Sequence, residues 1–143
     1  MTALSIITEF VHTIDSSIQI DFDDDFCADM VNKVIYIESK EHSQEEELIQ
    51  NFVQEKFNIL MDPFLIGILH EVGHIMTYDE QKNDERSILY SLLAMGYNKE
   101  HYEEYSNMYF SIPAEFEATK WAVNYYTNNK NLCDNFLTEL YTD

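Results

Sequence analysis

The sequence predicts an α-rich α+β domain, and three observations predict it. Most apolar residues recur at spacings of three and four, the period of a helix buried along one side. Two short segments near the N-terminus instead alternate or are rich in β-branched residues, as strands are. The 143-residue chain is of single-domain length and can bury a core without metal or disulfide support, so residues 1–143 are read as one domain.

Residues 3–14 form the first expected helix, with Leu4, Ile7, Val11 and Ile14 at helical spacing. Residues 18–22 alternate as a half-buried strand does, and residues 33–38, with Val34, Ile35, Tyr36 and Ile37, form a second strand. Asp21, Asp23, Asp24 and Asp25 crowd the first strand's end, but the calcium-loop glycine and the spaced terminal glutamate are missing, so they are read as a solvated turn. Residues 41–58 are charged first and then periodic (Leu48, Phe52, Val53, Phe57), which predicts a helix with an acidic outer face. Residues 63–78 form the best-marked helix. Asp62 offers an N-cap acceptor, Pro63 occupies the helical position where proline is favoured, and Leu65, Ile68, Leu69, Val72, Ile75 and Met76 make its apolar stripe. A further helix is expected over 86–95, stopped near Gly96, and Tyr102, Tyr105 and Tyr109 follow at helical spacing. Pro113 begins another helix of good helix formers, and residues 131–141 make a last amphipathic one.

His70, Glu71 and His74 carry the chemistry. Positions i and i+4 of a helix project from the same face, so both imidazoles can reach one metal ion. Glu71 lies about 100° round the helix, within reach of a water on that metal, where it can act as general base. Three protein ligands with the fourth position left for water or substrate is the pattern of a catalytic zinc centre. The third ligand has three candidates. Thr77 and Glu80 stand where the long form of the motif needs glycine and histidine, leaving His101, Glu115 and Glu117. On a helix, Ala114, Glu117, Ala118, Trp121, Ala122 and Tyr125 share a stripe, which puts Glu117 in the middle of a small-residue apolar face. A lone carboxylate there is unfavourable unless a cation compensates it. Glu117 is therefore the expected ligand, with Glu115 turned toward solvent.

The His70–His74 motif, followed about forty residues later by Glu115-Phe116-Glu117-Ala118, resembles the gluzincin metallopeptidases. Among them it is most similar to the small ImmA/IrrE-type proteins, proteases of phage and stress repressors. The likeness extends over roughly residues 18–126, with Gly73 before the second histidine and Trp121-Ala122 after the glutamate segment. It implies a zincin-like domain with a small N-terminal sheet on the metal helix, zinc held by His70, His74 and Glu117, and an edge strand before that helix to receive an extended substrate. Residues 33–38 are placed to be that strand. Many larger gluzincins carry an aspartate four residues after the ligand glutamate to orient a histidine. Counted from Glu117, this chain has Trp121 there, and Asn124-Tyr125-Tyr126 replace the tail common in the ImmA/IrrE group.

The net charge of −19, from 27 acidic and 8 basic residues, opposes direct binding to nucleic acid and anionic membranes and suits a basic protein or peptide partner. Cys27 and Cys133 make no disulfide framework, and residues 1–11 are apolar but carry Glu9 and no leading cation; a reduced, cytoplasmic setting is expected. Two functions follow as expectations. One is a zinc metallopeptidase with Glu71 as general base and a tyrosine or His101 near the oxyanion. The other is a non-catalytic acidic interaction protein of phage or mobile-element type that keeps a structural zinc site.

Overall fold

The Thr2 hydroxyl accepts the Ser5 N–H at 3.1 Å and so starts α1 (Ala3–His12), which lays Ile6, Ile7, Phe10 and Val11 on the core. In the computed structural model, which describes residues 2–23, 26–38, 44–78 and 102–142, this helix opens a mostly helical α+β fold with one three-stranded sheet. His12 Nε2 donates to the Ile18 carbonyl at 2.8 Å, tying the end of α1 to the start of β1 (Gln19–Asp23).

β2 (Cys27–Asp29) and β3 (Val34–Glu38) complete the sheet, in the order β1-β3-β2. β1 runs parallel to β3, pairing Ile20 with Ile35, and β2 runs antiparallel to it, pairing Ala28 with Ile35. The β2–β3 turn passes through Lys33 at φ 56°; its ammonium bonds Asp15 and Ser17, holding the turn to the chain before β1. Two expectations change here. The strand at 33–38 is the central strand, not an edge, because both of its sides are hydrogen-bonded. The edge beside the metal-motif helix belongs instead to β2, a strand too short for its alternation to be legible.

α2 (Gln44–Phe57) packs on α3 (Pro63–Met76). Asp62 caps α3 by accepting the Leu65 N–H at 3.0 Å, and Tyr141 donates to the same carboxylate at 2.8 Å. Every residue from Leu65 to Ile75 is buried. The sheet lies on α3 through β2 and β3, as expected of a sheet on the motif helix. α4 (Tyr102–Tyr109), α5 (Pro113–Asn128) and α6 (Lys130–Thr142) follow. α6 returns to α1, where Phe136 stacks on Phe10 with ring centroids 4.1 Å apart. Cys27 is exposed and Cys133 buried, and no disulfide joins them. Among the described residues no helix is long and apolar enough to cross a membrane. The helix expected at 86–95, together with Gly96, His101, Asp24 and Asp25, lies outside the described residues.

The contact that positions the site is α3 against α5. A Cβ added at Gly73 would stand 2.5 Å from the Ala118 carbonyl oxygen, so the two backbones touch there. At Gly67 the nearest atoms to an added Cβ belong to the Phe26 ring, at 2.9 Å, and a side chain can turn aside where a backbone carbonyl cannot. Alanine favours a helix over glycine by about 1 kcal/mol, whereas overpacking a core costs roughly 1–3 kcal/mol. Gly73→Ala should therefore lower thermal stability despite its better helix propensity, and Gly67→Ala should cost less. A Gly73→Ala protein that melts at or above the wild-type temperature would show that the helices do not cross this closely.

Candidate metal centre

α3 brings His70, Glu71 and His74 into the interior at 0%, 4% and 9% exposure. The two imidazoles meet edge to face, with ring centroids 4.7 Å apart and Nε2 atoms 3.2 Å apart. Glu115, in the first turn of α5, sets its carboxylate against both: 3.3 Å from His70 Nε2 and 3.0 Å from His74 Nε2. A tetrahedral ion with bonds of roughly 2.1 Å holds its ligand atoms about 3.4 Å apart, close to the spacing here.

The protons support the same conclusion. The Thr119 hydroxyl donates to the Glu115 backbone carbonyl at 2.9 Å, so it accepts from His70 Nδ1, 3.0 Å away. The tautomer assigned this way leaves a lone pair on His70 Nε2, aimed at His74 and Glu115. Burial pushes the His70 imidazole below its ordinary pKa, against the raising influence of Glu115, which keeps the ring neutral. Burial alone would raise the Glu115 carboxyl, and the hydrogen bond from His74 Nε2 opposes that rise. Without an ion, His74 Nε2 carries the proton that lies between the His70 Nε2 lone pair and the Glu115 carboxylate. A cation replaces that proton and satisfies all three. His70, His74 and Glu115 could thus hold a metal ion. The Tyr109 hydroxyl donates to the Glu115 carboxylate at 3.2 Å, so Tyr109 and Thr119 each steady one of the three donors.

The structure brings His70 and His74 together as the motif predicts, but the carboxylate that joins them is Glu115. Glu117 is not in the cluster, and the reason is the rotation of α5. Its buried residues are Ala114, Ala118, Thr119, Ala122 and Val123. At 100° per residue Glu115 projects within about 15° of the centre of that face, and Glu117 about 150° from it. The expected stripe was drawn through Trp121 and Tyr125. These residues are half-buried and stack on each other at the helix flank, with centroids 5.3 Å apart. Thr119 and Tyr109 were missed as supports of the ligands. The usable signals were the Ala114-Ala118-Ala122 stripe opposite Gly73 and a hydroxyl four residues after Glu115.

Glu71, His74 and Glu115 also line a cavity of about 250 Å³, shared with Phe26, Cys27, Ala28 and Met30. No family model matches the chain, and comparison with curated proteins and with solved structures gives no match.

Glu115→Gln should weaken metal binding by tenfold or more and reduce the stabilisation that added metal gives, while Glu117→Gln should behave as wild type; equilibrium dialysis and melting with and without zinc measure both. Tolerance at Glu115 with loss at Glu117 would reverse the assignment of α5. Removing an outer partner of a metal-binding histidine typically costs 10- to 100-fold in affinity, so Thr119→Val should fall roughly in that range. Affinity should also drop as pH falls, at His70 only below the range near 6.5 of an unperturbed ring, because burial lowers its pKa and delays the competition of protons for Nε2.

Proposed function

We propose that the chain is a zinc-dependent metallopeptidase with a zincin-like fold, in which His70, His74 and Glu115 hold the metal and Glu71 is the general base. The observation that carries this reading is that Glu71 faces the same cavity as His74 and Glu115. A carboxylate beside the two imidazoles and Glu115 is what proton transfer next to a metal requires. Bound at this site, zinc would polarise a scissile carbonyl and lower the pKa of a water beside it. Glu71 takes the proton of the attacking water on its carboxylate and passes it to the leaving amine nitrogen.

The sheet supports a polypeptide as substrate. Among the described residues no strand pairs with β2 on the side away from β3, and β2 supplies Cys27 and Ala28 to the cavity wall. An extended peptide can add to such an edge by main-chain hydrogen bonds, which would carry a backbone carbonyl past the cluster. The net charge of −19 favours basic segments among the proteins that could be cleaved.

Glu71→Gln keeps the shape of the side chain and removes its basicity. It should retain one zinc per chain and lose at least about 100-fold in turnover on unfolded protein substrates, the scale of general-base catalysis. Equal proteolysis by Glu71→Gln and wild type would remove Glu71 from the reaction. Zinc binding without cleavage by the wild-type chain would favour the interaction-protein alternative.

A further inference from the structure

A separate cavity of about 420 Å³ lies where α2 meets the segment joining α4 to α5, and it shares no lining residue with the cavity beside the metal centre. Its volume falls within the roughly 300–1,000 Å³ of clefts that enclose whole small molecules. Three phenyl rings build its apolar side. Phe52 stacks on Phe110 with centroids 3.7 Å apart, and Phe116 stands edge-on to Phe52 at 6.3 Å, the ring planes 78° apart. Phe110 is buried, whereas Phe52 and Phe116 are half-buried and line the open space. A ring laid parallel to Phe116 is edge-on to Phe52, and the reverse. An aromatic guest therefore finds the stacked and edge-to-face arrangements that aromatic pairs prefer.

The charged side comes from Glu55 and Lys56. They follow Phe52 by three and four residues, so all three share one face of α2. At 100° per residue Glu55 stands about 60° to one side of Phe52 and Lys56 about 40° to the other. Neither has an oppositely charged residue three or four positions away with which to pair along the helix. Consecutive helical residues do not face each other, so an acid and a base flank one ring without answering each other. An aromatic α-amino acid is the complement of this arrangement, because its ammonium and carboxylate share one carbon, a single methylene from the ring.

We infer that this cavity binds a free aromatic amino acid, with its ring among Phe52, Phe110 and Phe116, its ammonium at Glu55 and its carboxylate at Lys56. An aromatic amine would leave Lys56 unanswered, and an aromatic acid would leave Glu55. The end of a peptide carries only one of the two charges beside its terminal ring. The chain's net charge of −19 repels simple anions, so a carboxylate is acceptable here only because Lys56 receives it and an ammonium accompanies it.

Titration calorimetry on the full-length, zinc-loaded chain tests this with L-phenylalanine, L-phenylalaninamide, N-acetyl-L-phenylalanine and L-alanine. L-Phenylalanine should bind with a Kd on the order of 1 mM or tighter, as a ligand of this size allows. The amide lacks the carboxylate and the acetylated acid lacks the ammonium. Each should bind about three- to fivefold more weakly, the upper range for one exposed charge pair. Alanine, with no ring, should give no measurable binding. Lys56→Met should weaken phenylalanine by the same factor and leave the amide unchanged, while Glu55→Gln should weaken phenylalanine and leave the acetylated acid unchanged. Both side chains are exposed, so neither substitution should disturb folding. Absence of phenylalanine binding overturns the assignment, and so does binding that both substitutions leave intact, as contact with the metal would be. A derivative that binds as tightly as phenylalanine shows that the paired charges are not read; for the acetylated acid, it would assign the cavity to the C-terminal residue of a peptide instead. The metallopeptidase reading uses none of these residues and stands or falls separately.

Discussion

Everything at the candidate centre depends on two helix backbones touching. A glutamate side chain spans only a few ångströms, so Glu115 can reach imidazoles on α3 only if α5 comes closer than side-chain packing normally permits. Helices separated by ordinary side chains stand 8–10 Å apart. Here Gly73 removes the one Cβ that would strike the Ala118 carbonyl, and Ala114, Ala118 and Ala122 keep the facing surface low. The glycine between Val72 and His74 is therefore as necessary to the site as the histidines it separates, although it offers no donor.

The same closeness creates an electrostatic problem that the rest of the site answers. α3 is buried from Leu65 to Ile75, so His70, Glu71 and His74 sit where a polar group without partners is expensive. An apolar helix could have filled this volume at no such cost. Instead the cluster sets two imidazoles and an anion at hydrogen-bonding distance, with the Thr119 and Tyr109 hydroxyls supporting them from outside. Two neutral rings and one carboxylate leave a net negative site, which a divalent cation converts to a net positive one. Binding at such a site also couples to folding, because the three donors come from helices about forty residues apart and meet only in the folded chain.

How much of this was legible depends on how each element is specified. α3 was readable because its start signals, its stripe and its motif all lie within sixteen residues and agree. The strands at 18–22 and 33–38 were found within a residue or so, but β2 was not: Cys27-Ala28-Asp29 is three residues with no β-branched member, and it exists because β3 offers a partner. That omission also misplaced the edge of the sheet, since sheet order is a property of pairing and not of any one segment. On α5 the helix was right and its rotation wrong by about 80°. Trp121 and Tyr125 are large enough to look like core, yet a large aromatic can cover the margin of a core and stack there, as these two do. Small residues were the better guide, because close approach selects for size before it selects for hydrophobicity.

The corrected rotation also changes which residue stands four positions beyond the carboxylate. Counted from Glu117, the residue four positions on is Trp121, which has no acceptor with which to orient a histidine. Counted from Glu115, it is Thr119, and that hydroxyl receives the His70 Nδ1–H at 3.0 Å while returning its own hydrogen to the Glu115 carbonyl. The proton inventory and the buried face then agree on one carboxylate, and agreement among independent levels is what a specified site should show. A hydroxyl in this role differs from a carboxylate in one respect that bears on chemistry. It fixes the tautomer without adding negative charge behind the ring, so His70 would donate less electron density to a metal held there. Such a metal would be less neutralised and a stronger Lewis acid, at the expense of affinity.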